Sequence, residues 1–401
     1  MSHASDPQHW RAVALLSVAA FASGASARLC DPMLPDLART FGTTATATAQ
    51  VVSAFAVAYG VLQGFFGPLG DRIGKYRLVA LTTLACTVGT LGSAFATSLS
   101  MLILFRLVLG ASAAGIIPLS MAWIGDTVPY EQRQATLARF LGGQILGVIG
   151  GQFIGGVFTD TLGWRWAFGF IALVYLLVGL TVLAESRSNV TTHHRPASDA
   201  PRAGIVTQIR SVLGIGWARV ILSVVALEGL LVFGALAFAP SYLHERFGLS
   251  LTASGGLMAF FGLGGLSYIG FARHFVRRFG EVGLARIGGS LLGAAWLLLA
   301  VAPSWIWAAP ACYFVGLGFY MLHNTLQTNA TQMAPQVRGT AVSLFASAFF
   351  LGQSLGVVLA AVLLAGIGAN GVFGLAALLL PALALGFGHL LRAHHRLRTA
   401  P

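Results

Sequence analysis

The chain has 401 residues, 56% of them hydrophobic and only 9% charged, and its mean hydropathy is +0.80. About a quarter of the residues of a soluble domain are charged, so this composition excludes one and describes a chain immersed in lipid. The formal net charge of +12 would suggest nucleic acid as the partner of a soluble protein; here its distribution reads as membrane topology, and no nucleic acid is expected.

A span needs roughly 20 mostly apolar residues, and uncharged runs of that size recur from Val13 to Leu391. In chain order they predict helices at 11–36, 46–70, 76–97, 100–125, 133–159, 164–184, 217–243, 252–276, 283–302, 304–330, 338–365 and 369–392. Two runs hold two spans each: Ile287 to Val337 breaks at Pro303 and Ser304, and Gly339 to Leu391 breaks near Gly366, Gly368, Asn370 and Gly371. The expected fold is an all-α membrane protein of twelve transmembrane helices in two pseudo-symmetric six-helix bundles. Residues 1–184 form the N-terminal bundle, 185–211 a cytoplasmic linker loop, and 212–401 the C-terminal bundle and tail. The polar first ten residues lead into a span without a small-residue cleavage site, so the first helix is expected to be retained.

With the N-terminus in the cytoplasm, all but five of the 24 Lys and Arg residues fall on cytoplasmic loops, tails or adjoining helix ends. Arg39, Arg165 and Arg246 lie outside, and Arg28 and Arg106 lie within spans. Both termini are then cytoplasmic, and Arg-rich loops can touch anionic lipid headgroups. Cys30, Cys86 and Cys312 all fall within spans, and their odd number indicates no disulfide framework. Arg in preference to Lys, with abundant Ala and Gly, suits a GC-rich bacterium and hence its cytoplasmic (inner) membrane.

Between the second and third spans runs Gly67, Pro68, Leu69, Gly70, Asp71, Arg72, Ile73, Gly74, Lys75, Tyr76, Arg77, whose Lys75 is the only lysine of the chain. No charge occurs from Gly42 to Gly70 or from Leu78 to Phe105, so this is a tight turn on one membrane face, kept short by its glycines. Its Arg72 and Gly74 recur 206 positions later as Arg278 and Gly280. Phe140, Leu146, Gly147 and Gly151 recur at an offset of 205 as Phe345, Leu351, Gly352 and Gly356. A parallel repeat of six spans is one way in which transporters build a midplane site between two rocking halves.

These residues resemble the major facilitator superfamily over almost the whole chain. Its signature between the second and third spans is matched in register by Gly67, Asp71, Arg72, Gly74 and Lys75; Tyr76 departs from it, and Arg77 supplies the second basic group one position late. The resemblance implies a cytoplasmic gate in which Asp71 accepts hydrogen bonds from the start of the eleventh helix near Arg338 and Gly339, where the helix dipole favours an anion. Lys75 can pair with Asp126 at the cytoplasmic end of the fourth helix. The second-half loop, Arg277, Arg278, Phe279, Gly280, lacks the Asp, so the latch is expected to be one-sided.

Arg106, Gly110 and the small residues Ala111 to Ala114 resemble the fourth-span motif of proton-coupled members, with Leu109 in place of its usual Gln. Gly147, Gly151, Gly155 and Gly156 resemble the antiporter motif of the fifth span, with Gln152 where Pro is usual; four glycines also suit plain close packing. Pro32, Met33, Leu34, Pro35 and the run Gly163, Trp164, Arg165, Trp166, Phe168 resemble the twelve-span drug:proton antiporters.

Few ionisable groups lie deep in the spans: Arg28 and Asp31, Arg106, Glu228, and His323. Arg28 and Asp31, three apart, share a helix face and form either a pair that opens for substrate or proton, or a static pair near the outer end. Arg106 either lines a wet cavity or snorkels to the outer interface. Glu228 lies nine residues past Arg219, roughly 14 Å along a helix, near mid-membrane. There it either binds and releases a proton as hydration changes or is a protonated carboxyl bonded to a neighbouring helix; Asp31 and Arg106 are the other proton-coupling candidates.

His323, Asn324 and Gln327 make a polar stripe expected to line the cavity with Arg28. Phe260 and Phe261, with Phe345 and Phe349, either add an apolar, cation-attracting wall or pack helices. No metal-spaced His and Cys cluster, phosphate-binding Gly-rich loop or activated nucleophile is present, so neither metal nor cofactor nor enzymatic activity is expected, and an ion gradient rather than ATP should drive transport. The pairs His193, His194 and His394, His395 are read as solvated.

The expected function is export of a small organic compound, drug-like or a metabolite, in exchange for protons, by a protein that works as a monomer. Proton symport or facilitated diffusion of a sugar-like solute is the alternative; a non-transporting membrane sensor is the alternative of another class.

Overall fold

A computed structural model describes residues 7–189, 192 and 204–399, and among these there is helix and no strand. The elements in order are α1 (Pro7–Arg28), a 3-10 turn (Asp31–Met33), α2 (Leu34–Phe41), α3 (Ala45–Thr48), α4 (Gln50–Ile73), α5 (Lys75–Ala94), α6 (Leu99–Ala113), α7 (Ile116–Thr127), α8 (Tyr130–Thr161) and α9 (Trp164–Ser188). Then follow α10 (Ile205–Gly214), α11 (Gly216–Leu236), α12 (Ala239–Phe247), α13 (Leu251–Leu257), α14 (Ala259–Val301), α15 (Ala308–Gln332) and α16 (Arg338–Thr399). The described residues contain ten helical stretches apolar and long enough to cross a membrane. Two of them, Leu251–Val301 and Pro335–Arg396, run for 51 and 62 residues.

Each of those two long stretches is interrupted by one glycine in a backbone conformation closed to other residues: Gly280 (φ 61°, ψ 176°) and Gly368 (φ 67°, ψ 176°). Gly368 falls within the run of glycines where the sequence predicts a break. Every positive-φ residue described is a glycine, and the six form three pairs 205 or 206 positions apart: Gly42 with Gly248, Gly74 with Gly280, and Gly163 with Gly368. The internal repeat therefore extends to the backbone at the turns.

The chain divides into two compact units, one of residues up to Thr43 with Gln50–Arg202, the other of Thr44–Ala49 with the residues from Ala203 onward. In the first unit α1 packs on α8, α5 on α9 and α6, and α4 on α6. In the second, α11 packs on α16, and α14 on α15 and α16. The first crossing is a backbone contact. A Cβ on Gly147 would stand 2.1 Å from the carbonyl oxygen of Phe21, on Gly151 2.3 Å from that of Ala25, and on Gly155 2.2 Å from that of Leu29. The second crossing repeats it: a Cβ added at Gly352 would stand 2.0 Å from the carbonyl oxygen of Ala226, and one at Gly356 2.2 Å from that of Leu230. Gly156 is buried beside them.

The first span is broken where Pro32 has no N–H and its ring would collide with the carbonyl of Arg28, so α1 stops there and α2 resumes with Pro35 in its first turn. The seventh repeats this: α11 ends at Leu236 and α12 resumes with Pro240, 205 positions after Pro35. The histidines near the C-terminus are not free in solvent as expected. His394 stacks on Trp217, ring centroids 4.0 Å apart, and His395 Nε2 lies 3.6 Å from Glu281 Oε2. His193 and His194 lie outside the described residues.

Overpacking a core costs about 1–3 kcal/mol, and backbone cannot yield as a side chain can. Gly151→Val should lower the thermal unfolding midpoint in detergent by that order, whereas Gly142→Ala, where a Cβ meets nothing within 4 Å, should leave it unchanged or raise it. Equal midpoints for the two variants would remove the α1–α8 crossing as a support of the unit.

Candidate functional site

Each unit holds its own buried polar cluster. In the first, Arg28 and Asp31 flank the break after α1, and Arg28 Nη1 donates to Asp31 Oδ2 at 3.4 Å, both side chains being almost wholly buried. Gln152, next to the crossing glycine Gly151 on α8, donates its Nε2 to the same oxygen at 3.4 Å. The residue that replaces the usual Pro thus reaches the acid of the first span, a role that sequence reasoning missed. No local signal pointed to it, since 121 positions separate the two.

Arg106 on α6 is fully buried, which removes the snorkelling reading. Its Nη1 donates to Ser26 O at 2.8 Å and its Nε to Val51 O at 3.0 Å. Ser26 lies in the last turn of α1, where carbonyls have lost their helical donors. The guanidinium also sits 4.6 Å from the ring centre of Phe55, a cation–π contact. Arg106 therefore ties α6 to α1 and α4 and places a second permanent cation in the cluster that contains Asp31.

In the second unit Glu228, on α11, has no exposed surface, and its Oε2 lies 2.7 Å from His323 Nδ1 on α15. The imidazole is held among Phe319 and Phe349, each with centroid 4.9 Å away, and Phe345 at 5.4 Å. Phe233 closes the set edge-on to Phe319 and Phe349, and Phe261 packs behind Phe233 and Phe319. Phe260, expected in this wall, is instead 37% exposed while its neighbour Phe261 is buried. Adjacent helical positions point about 100° apart, so one of the two had to turn away. Along the predicted stripe, Asn324 Nδ2 donates to Tyr268 Oη at 2.7 Å, whereas Gln327 is exposed.

The turn after α4 makes a charged clasp. Gly74, with φ 98°, lets α5 begin at once, and Lys75 at its start donates to Asp126 at the end of α7 and lies 3.5 Å from Asp71 Oδ1. Gly67, Arg72 and Arg77 are exposed around it. The corresponding turn of the second unit is not empty of acid. Glu281, 206 positions after Lys75, follows Gly280 and accepts from Asn329 Nδ2 at 3.1 Å. The register of the repeat could have revealed it: the basic residue after the glycine has become an acidic one. No group of three or more metal-ligating side chains occurs among the described residues.

Ten long apolar helical stretches with glycine-mediated crossings and buried charges define a multi-pass membrane protein of the transporter class. The Major Facilitator Superfamily profile matches residues 16–357, and the chain belongs to that superfamily. It is 29% identical to the inner membrane transport protein YnfM of Escherichia coli (strain K12), over 98% of this chain and 93% of that one. It is 28% identical over 207 residues to the multidrug export protein EmrB of the same organism, spanning 52% of this chain and 40% of EmrB. Two solved structures share the fold. The nucleoside transporter NupG superposes with a TM-score of 0.75 at 15% identity, covering 95% of this chain and 98% of that one. A bacterial homologue of the human lysosomal transporter Spinster, in an inward-facing and unoccupied conformation, superposes with 0.71 at 19%, covering 97% and 93%.

Removing one partner of a buried ion pair costs about 3–5 kcal/mol, because the other charge is left uncompensated. Asp31→Asn, which leaves Arg28 and Arg106 with no anion, should therefore lower the unfolding midpoint strongly, and the double variant Arg28→Met, Asp31→Asn, with one guanidinium fewer, should recover part of the loss. Thermal unfolding of the single and double variants tests this; a double variant no more stable than the single would mean that the pair is not what holds the break.

Proposed function

We propose that this superfamily transporter exports a small organic compound in exchange for protons by alternating access, with Glu228 and His323 as the proton-exchanging pair. The observation that carries the reading is a wholly buried carboxyl joined at 2.7 Å to an imidazole inside a cage of phenylalanines. Neither side chain is a permanent cation, so a proton moves on or off the carboxyl without stranding an arginine or lysine. Glu228 is shut off from solvent, while His323 is 17% exposed; the proton path to Glu228 runs through the imidazole. Export, rather than import, is supported by the likeness to EmrB and by the motifs of the first, fifth and sixth spans.

The same reading has twelve crossings in two six-helix bundles, residues 1–184 and 212–401, joined by a cytoplasmic linker at 185–211. A helix of 62 residues would extend about 93 Å, some three bilayer cores, so α14 and α16 each make two crossings, turning at Gly280 and Gly368. The clasp of Asp71, Lys75 and Asp126 holds the start of α5 to the end of α7 and acts as the cytoplasmic gate. Both termini are cytoplasmic, in a bacterial inner membrane.

In proteoliposomes with an imposed pH gradient, substrate uptake should be accompanied by counterflow of protons. Glu228→Gln should reduce gradient-driven flux at least about 100-fold, in the range of a lost proton-transfer group, while leaving substrate exchange at equal pH. Ordinary gradient-driven flux in that variant, together with its loss in Asp31→Asn, would move the proton site to the first unit. Flux indifferent to the gradient in the parent protein would sink proton coupling altogether.

A further inference from the structure

At the end of the first unit that carries the Lys75 clasp, α5 and α9 part to leave a cleft of about 330 Å³ lined by Arg77, Leu81, Leu183, Ser186 and Arg187. Arg77 lies in the first turn of α5, and Arg187 in the last turn of α9, so the two antiparallel helices bring one guanidinium each to the same mouth. The acids nearby are already engaged. Asp71 and Asp126 answer Lys75, and Glu185 takes Arg11 Nε at 3.1 Å and Asn189 Nδ2 at 2.8 Å. Arg77 and Arg187 make no ion pair among the described residues.

We propose that this cleft is a binding site for the headgroup of an anionic phospholipid, with the phosphate between Arg77 and Arg187 and a headgroup hydroxyl at Ser186. Two features single out a lipid. Two exposed arginines with no ion pair among the described residues leave the mouth positive, and a guanidinium pairs with phosphate oxygens through two parallel N–H donors. Beyond the mouth the two helices are apolar and exposed, with Leu81 and Val88 on α5 and Leu177 and Leu180 on α9. An acyl chain fits that strip, and a free phosphate gains nothing from it. With this end of the unit on the cytoplasmic side, the site faces the leaflet whose arginine-rich rim attracts anionic lipid.

Native mass spectrometry of the intact protein, titrated with phosphatidylglycerol and with phosphatidylcholine, tests the assignment. Each basic residue at a membrane surface contributes enough that losing both should weaken phosphatidylglycerol binding about thirtyfold. Arg77→Ala with Arg187→Ala is expected to show that loss. Arg210→Ala, which removes an exposed arginine outside the cleft, is expected to keep parental binding, and phosphatidylcholine binding should be the same in all variants. Leu183→Trp, which fills the cleft and keeps both charges, should also expel the lipid and stands in should the double variant fail to fold. Equal phosphatidylglycerol binding by the double variant, or by Leu183→Trp, overturns the site. Displacement of the lipid by millimolar inorganic phosphate overturns the lipid in favour of a free anion.

Discussion

Bare backbone contact between paired helices is the constraint on which the rest of each unit depends. In lipid no hydrophobic force draws helices together, so association rests on close fit and polar pairs. Where α1 crosses α8 and α11 crosses α16, glycines lie against the carbonyls of the opposite helix, leaving no room for a methyl group. That approach is what brings the polar clusters into existence. Gln152, beside Gly151, reaches Asp31 only because α8 lies this close to α1. In the second unit a Cβ on Gly229, next to Glu228, would stand 2.4 Å from the carbonyl oxygen of Phe349, and the ring of that same residue stands beside His323.

On this shared frame the two units carry different electrostatics. Glu228 lies 205 positions after Ser23, so the second unit places an acid where the first has a hydroxyl. The clasp also differs: the ion pair of Lys75 and Asp126 in the first unit gives way to Glu281 accepting from the amide of Asn329 in the second. Even the broken spans are stabilised differently. The break after α1 receives a donor from Arg106 at Ser26 O, whereas after the second break α12 is itself the donor, its Tyr242 hydroxyl reaching Leu299 O at 3.2 Å and its Arg246 reaching Ala302 O at 3.1 Å at the end of α14. The repeat fixes helix order, turns and crossings, and leaves side chains at equivalent places free to diverge.

What could be read from the chain alone follows from what lipid imposes on a linear sequence. Spans, turns and their glycines are local features, and the uncharged runs and crowded loop charges made them legible; so were the offset of the repeat and the bond from Lys75 to Asp126. The site was legible as a set of residues and illegible as an arrangement. Glu228 and His323 lie 95 positions apart, and only the rotation of α11 and α15 about their axes joins them. A helix apolar on every side gives no signal of which face is inward, and for that reason Phe260 and Phe261 could not be told apart and Gln327 was grouped with His323. Gln152 read as a missing proline because a sequence motif records the residue expected at a position and not the partner that it meets.

The two buried clusters are unequal as sites of proton exchange, and the reason is charge counting. Asp31 is the one acid among two guanidiniums, Arg28 and Arg106, and arginine does not give up its proton in proteins. Protonating Asp31 would leave two cations inside the membrane with no anion, a state that costs several kcal/mol for each uncompensated charge. Arg106 is fixed by its bonds to Ser26 and Val51, and Arg28, the last residue of α1, by its buried bond to Asp31, so neither withdraws to water without unmaking the first unit. Glu228 faces no such debt. Its neighbour is an imidazole, which unlike a guanidinium is not a permanent cation, so a protonated carboxyl at Glu228 strands no arginine. Under the proposed exchange, a proton added to Glu228 strands no permanent cation, whereas one added to Asp31 leaves two arginines without an anion. This asymmetry is consistent with the role proposed for Glu228 and leaves Asp31 to neutralise the arginines beside the broken first span.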